Sequence, residues 1–268
     1  FTIRFIEGGV LIISRYTLTA LFFVVALGAV RGSVPAISKL VTLGGINPLV
    51  YAASISLFGG LLLFLANCIL RRATPVTNEV VWFSLIGGLV GITIPHIVFF
   101  NGIKSVDVGI ASAMISGIPI MIYLLSLAFK QEVFAVWRFI GVLFGFAGVS
   151  VIAGVGVTEE ALVTASSIGI ALILLSTVFY ASNVIFISLF LPKSLSRMQA
   201  AALMMIFGSL PIWLYVLIDH DFSLLSSTIK NPAFVFLLSH CFISGLAYYL
   251  SFFIISTYGP VIYSGAAY

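Results

Sequence analysis

Eight apolar runs, each long enough to cross a bilayer, follow one another along this chain with short polar stretches between them. A hydrocarbon core needs about 20 apolar residues per helix. The runs fall at 17–38, 48–70, 80–103, 108–129, 133–156, 166–191, 199–218 and 232–256. They are apolar on all sides, whereas a strand of a membrane barrel alternates in polarity over about 10 residues. The expected fold class is therefore an all-α polytopic membrane protein. Only 7% of the residues are charged, against about 25% in a soluble domain, so a water-facing globular fold is excluded. A ninth run opens near Pro260 and is still apolar at Tyr268; the expectation is a chain truncated within its ninth helix.

Loop charges orient the spans. With the N-terminus in the cytoplasm, Arg4, Arg15, Arg71, Arg72, Lys130, Arg138, Lys193 and Arg197 lie inside, and only Lys39, Lys104 and Lys230 lie outside. Eight against three, sustained over successive loops, is a positive-inside bias. It places the chain in the inner or plasma membrane as a multi-pass protein. The net charge of +4 comes from basic residues scattered among loops, so nucleic acid is not an expected partner.

Val80–Glu132 is the stretch in which polar chemistry intrudes most on hydrocarbon. It holds two spans joined by a turn at Lys104–Asp107, with Pro95, His96 and Asn101 inside or near the first span. Polar side chains and broken backbone at membrane depth are tolerated where they face protein or a water-filled cavity. Arg31, inside span 1, is the most costly residue, at about 2.5–3.5 kcal/mol on insertion scales. Two placements stay open for it: a cavity wall, or an early helix end from which it snorkels to the surface. His96 and Asn101 either line a polar site or bond neighbouring helices. In span 6, Tyr180 and Asn183 stand one turn apart and look the same way. In span 8, Tyr248 combines a ring with a hydroxyl, as a mixed polar and apolar pocket requires. Arg31, His96, Asn101, Tyr180, Asn183 and Tyr248 are the expected substrate-binding residues. His240 is assigned a structural or interfacial place, and Glu132 a charge pairing near Lys130 and Arg138.

Laying Phe99–Ala113 over Phe252–Ala266, an offset of 153, gives identities at Phe99/Phe252, Phe100/Phe253, Val108/Val261 and Ala113/Ala266. Both windows run from the end of a span through a short turn into the next. They are spans 3–4 and 8–9, so the repeat unit is five helices, and an odd number inverts the second copy. Inverted repeats with a site at their interface are a recurrent plan of secondary transporters.

RGSVPAISK (31–39), GIASAMISGIPI (109–120), QEVFAVWRFIGVLFGFAGV (131–149) and STYGPVIYSGAAY (256–268) together resemble the EamA type of the drug/metabolite transporter superfamily. The resemblance implies a ten-helix carrier of two inverted five-helix repeats: an N-terminal segment at 1–16, a first repeat at 17–156 and an incomplete second at 157–268. Arg31 departs from it, standing where an apolar or aromatic residue is more usual.

The expected function is a secondary transporter, an exporter, of small metabolites such as amino acids, organic anions or similar polar solutes, working by alternating access. No nucleotide-binding motif (GxxxxGK[ST]) is present, so the chain does not itself hydrolyse ATP. No cofactor and no metal site is expected. Arg31, His96 and Lys104, if they reach the cavity, favour an anionic or zwitterionic solute. The competing readings are an intramembrane enzyme acting on lipid or prenyl substrates, for which the carboxylates are all near loops, and an exporter of lipophilic drugs or cations. The expected partners are the small-molecule solute, the lipid bilayer and a second copy, the last through the glycine-rich face Gly141, Gly145 and Gly148 of span 5.

Overall fold

The structure is a computed structural model that describes residues 4–5, 11–12, 15–154, 166–219 and 223–267. Two short strands, β1 (Arg4–Phe5) and β2 (Leu11–Ile12), pair antiparallel before the first helix. Every described element after them is a helix. Span 1 is α1 (Arg15–Gly32) and α2 (Val34–Leu43); span 2 is α3 (Pro48–Ile69); span 3 is α4 (Asn78–Gly88), a π-helical turn (Leu89–Thr93) and α5 (Ile94–Gly102). Span 4 is α6 (Val108–Ile115) and α7 (Ile118–Ala128), and span 5 is α8 (Val136–Gly154). Span 6 is α9 (Ser167–Phe190) and span 7 is α10 (Arg197–Asp219). A short α11 (Ser223–Lys230) precedes span 8, α12 (Phe234–Tyr258), and span 9 opens with α13 (Pro260–Ser264) and a 3-10 turn (Gly265–Ala267). Among the described residues, seven helical stretches are long and apolar enough to cross a membrane, with α8 a shorter apolar helix beside them. All eight expected runs are therefore helices. Glu159, Glu160 and Asp221 lie outside the described residues.

Sequence signals set the helix ends. Asn47 accepts from the Leu49 and Val50 amides with Pro48 at the first helical position, Thr77 accepts from Val80, and Asp107 accepts from Gly109 at 2.7 Å. Each satisfies amides that a helix start leaves without a partner. Gly259, at φ +89°, ends α12 in the left-handed region, and Pro260 opens α13.

Spans 1, 3 and 4 are broken, and each break follows from a proline nearby. Pro95 has no amide to offer Gly91, and the ladder before it loosens into the π turn, where the Ile94 amide bonds Leu89. Span 4 breaks at Ser116–Gly117 ahead of Pro119, and span 1 at Ser33 ahead of Pro35. Pro211 lies within α10, which runs through it without interruption.

The core is built on α3 and α10, which pack most extensively. Ala200, Ala201, Ala202, Met204 and Met205 are wholly buried there. Two crossings are close enough to be backbone against backbone. A Cβ on Gly208 of α10 would stand 2.8 Å from the Gly88 carbonyl oxygen, and one on Gly245 of α12 would stand 3.0 Å from the Gly59 carbonyl oxygen. The pattern of contacts is paired: exchanging spans 1, 2, 3 and 4 with 6, 7, 8 and 9 carries span 2 on 8 into 7 on 3, span 1 on 8 into 6 on 3, and span 1 on 9 into 6 on 4. Large apolar side chains such as Phe22, Leu65, Trp82 and Phe144 cover the outside, while Ser54, Ser84, Thr93 and His240 are buried. That is the distribution a lipid solvent selects. Gly141 and Gly148 of α8 meet nothing within 4 Å among the described residues. Of the two cysteines, Cys241 is buried and Cys68 is exposed on α3.

Candidate functional site

Side chains from both halves of the chain surround a cavity of about 400 Å³. Arg31, Tyr180, Asn183, His240, Tyr248 and Tyr263 supply its polar and aromatic wall, and Val184, Ile187, Phe252 and Ile255 much of the apolar remainder. The broken backbone of all three interrupted spans lies at this level: Arg31 and Val34 flank the break in span 1, Gly91 sits in the π turn, and Ile115 and Ile118 bracket the break in span 4. Irregular backbone at membrane depth is tolerated where it lines a cavity.

Arg31 is the only charged residue in the wall among the described residues. Its Nη2 donates to the Tyr263 hydroxyl at 2.5 Å and to Ser251 Oγ at 3.3 Å, and the guanidinium carbon stands 5.1 Å from the centre of the Tyr263 ring. The Ser251 hydroxyl donates a hydrogen bond to the Ala247 carbonyl at 2.7 Å, which leaves its oxygen turned to accept from Arg31. A guanidinium carries five N–H donors in a planar fork, and only Nη2 is engaged by these partners. Of the two placements open to Arg31, the structure has the cavity wall. Neutral hydroxyls and a ring face hold the cation in place without cancelling its charge.

Tyr180 and Asn183 line the cavity from α9 one turn apart, as their spacing predicts, and Tyr248 lines it from α12. Asn183 packs onto Gly91, where any Cβ would stand 2.2 Å from the amide, and its Oδ1 is buried without a hydrogen-bond partner among the described residues. The loosened turn and the missing side chain at Gly91 thus make room for a polar group in the wall.

Two expected residues fall elsewhere. Asn101 is exposed near the end of α5; it donates to the Ile97 carbonyl of its own helix at 2.9 Å and accepts from Lys104 Nζ at 3.1 Å. It is not among the described residues of the cavity wall, because a short amide within one turn of the helix end satisfies itself locally. Lys104 is held with it and does not reach the cavity. His96 stands behind the wall: its Nδ1 pairs with the Ile92 carbonyl at 2.6 Å, one turn back, and its ring meets Tyr180 edge-on at 5.9 Å. It supports Tyr180 and does not itself line the cavity.

Polar wall residues also escaped the sequence reading, among them His240, Ser251 and Tyr263. His240, placed there as structural or interfacial, is in the wall, buried, with Nδ1 hydrogen-bonded to the Tyr51 hydroxyl, which in turn pairs with Ser38 Oγ at 2.6 Å. Ser251 and Tyr263 hold Arg31. The signal for two of them was present: His240, Ser244, Tyr248, Ser251 and Ile255 form a stripe at helical spacing along one face of α12.

Glu132 forms an ion pair with Arg138, as expected, where α7 gives way to α8.

The sequence model of the EamA-like transporter family matches residues 18–154. A comparison with curated proteins found no match. Among solved structures, one described as a crystal structure of a protein shares this fold at a TM-score of 0.74 with 17% identity, covering 93% of this chain and 83% of that one.

Proposed function

The chain belongs to the EamA-like transporter family, and from that premise we propose that it is a secondary carrier whose solute, anionic or zwitterionic, binds in the central cavity with its negative group on Arg31. The observation that carries this reading is the Arg31 guanidinium, held at membrane depth by Ser251 and Tyr263 with no carboxylate in the described wall. A half-buried cation whose partners are neutral is electrostatically incomplete, and a bidentate carboxylate or similar anion completes it. Much of the remaining wall is apolar, so the solute carries an apolar body behind its charged group, as an organic acid or an apolar amino acid does. A lipophilic cation would meet Arg31 as a like charge.

Alternating access between two inverted five-helix repeats is the proposed mechanism. The exchange pattern of the span contacts supports it, as do the twin glycine crossings at Gly59/Gly245 and Gly88/Gly208. The matching turns do so too: α6 begins at Val108 and α13 at Pro260, close to the offset of 153 that aligns the windows. Ten helices, the repeats at 17–156 and 157–268, a cytoplasmic N-terminus and export belong to the same proposal, resting on the charge bias and the family resemblance. A homodimer through the outward glycine face of α8 is a lesser part of it.

Counterflow into proteoliposomes tests the reading, using labelled apolar amino acids, monocarboxylates, dicarboxylates and organic cations in parallel. Saturable uptake of one of the first three classes, lost in Arg31→Gln, is expected. Uptake confined to organic cations would overturn it.

A further inference from the structure

A second concavity, of about 630 Å³, lies on the side of the central cavity toward the α9–α10 connection, and Ile187 belongs to both walls. Arg72, from the stretch after α3, Lys193, from the connection itself, and Arg197, at the start of α10, line it together with Ser188, Ser196 and Tyr249. No carboxylate is among its described lining residues. A positive-inside bias accounts for basic residues on one side of a membrane, but it does not require residues more than a hundred positions apart to line one hollow.

Their convergence is built. Gln199 accepts from the Thr74 amide at 2.8 Å and donates to the Thr74 carbonyl at 2.8 Å, and Ser196 donates to Asn67 Oδ1 at 2.7 Å. This clamp fixes the stretch carrying Arg72 against the start of α10, where Arg197 stands. The Arg197 guanidinium is steadied over the Phe253 ring at 5.1 Å, a contact that orients a cation and leaves its edge donors available. A concave site lined by one sign of charge concentrates counter-ions.

We propose that this vestibule is a second anion subsite, taking a carboxylate or phosphate group. It gathers the solute at the approach to the central cavity, and the same chemistry suits the headgroup of an acidic lipid. It is independent of what Arg31 holds, so the two sites separate experimentally.

The test is isothermal titration of the full chain with inorganic phosphate in nanodiscs of phosphatidylcholine. Saturable binding is expected, weakened at least about fivefold in Arg197→Gln and in Lys193→Gln, as befits loss of a charge-assisted contact, and retained in Arg31→Gln. All three variants are checked for an unchanged size-exclusion profile. Absence of saturable binding, or binding abolished by Arg31→Gln and untouched by the other two, overturns the subsite. Repeating the titration in discs that also contain phosphatidylglycerol identifies the source: suppressed phosphate binding assigns the subsite to a lipid headgroup, and unchanged binding assigns it to a soluble anion.

Discussion

Arg31 on α1 and Tyr263 on α13 meet twice: the guanidinium donates to the hydroxyl at 2.5 Å, and its carbon lies 5.1 Å from the centre of the same ring. The pair is 232 residues apart in sequence, and it joins the first span to the start of the ninth across the cavity. Tyr263 therefore positions the charge on which solute binding is proposed to depend.

Replacing Arg31 is expected to reduce transport more than stability. Charge-assisted hydrogen bonds contribute about 1.5–3 kcal/mol, so Arg31→Gln should lower kcat/KM for the transported solute by about 10- to 100-fold. Arg31→Lys should not restore it, because an ammonium lacks the planar fork that engages Ser251, Tyr263 and a solute anion together. Tyr263→Phe keeps the ring and removes the acceptor, and a loss of several-fold, carried mainly by KM, is expected. Initial rates in proteoliposomes measure all three. Wild-type rates in Arg31→Lys would show that charge alone matters.

The spans, and the way they turn at Asp107 and Gly259, were legible because length and hydropathy decide helices in lipid, and because Asn, Asp, Pro and Gly mark their ends. Arg31, Tyr180, Asn183 and Tyr248 were legible as wall residues because a polar group inside an apolar run has few other places to go. His96 and Asn101 misled for the opposite reason: each is satisfied by the carbonyl one turn back on its own helix, a solution that spacing alone does not reveal. Tyr263 could not be singled out, since its role depends on a partner from the other end of the chain. His240 was misplaced by its distance from the helix centre, although its polar stripe with Ser244, Tyr248 and Ser251 was in view.

Gly91 and Asn183 are expected to be energetically coupled. A Cβ at Gly91 would lie 2.2 Å from the Asn183 amide, so Gly91→Ala should force the side chain out of the wall and lower thermal stability, with overpacking of this kind costing about 1–3 kcal/mol. Asn183→Ala relieves the clash, and the double variant should be more stable than Gly91→Ala alone. Thermal unfolding of the four proteins in detergent closes the cycle. Additive losses would mean that the two residues do not share the space.

Gln199 is expected to hold the Arg72 stretch in place. Gln199→Leu keeps the volume but strands the half-buried Thr74 amide and carbonyl, a loss of about 1 kcal/mol. Arg71 and Arg72 are exposed, so trypsin reports the consequence directly. Cleavage after these residues should accelerate several-fold in the variant while the helices remain intact. Equal cleavage rates would place the clamp's contribution elsewhere.

The glycine crossing between α4 and α10 should tolerate no side chain, and α8 supplies its control. A Cβ on Gly208 would stand 2.8 Å from the Gly88 carbonyl oxygen and 2.8 Å from the Ile92 Cβ, neither of which can swing aside as a flexible side-chain tip would. Thr93 fixes the same crossing by donating to the Gly208 carbonyl at 2.7 Å. In lipid there is no hydrophobic drive to hold two helices together once they are pushed apart, because association rests on close packing and on such bonds. Gly208→Val is therefore expected to cost at least about 2 kcal/mol and to appear as a lower unfolding temperature or as failure to accumulate in the membrane. Gly141→Val, on a surface with nothing within 4 Å, should be neutral in the monomer. Equal effects of the two substitutions would show that propensity in the helix matters here and the crossing does not.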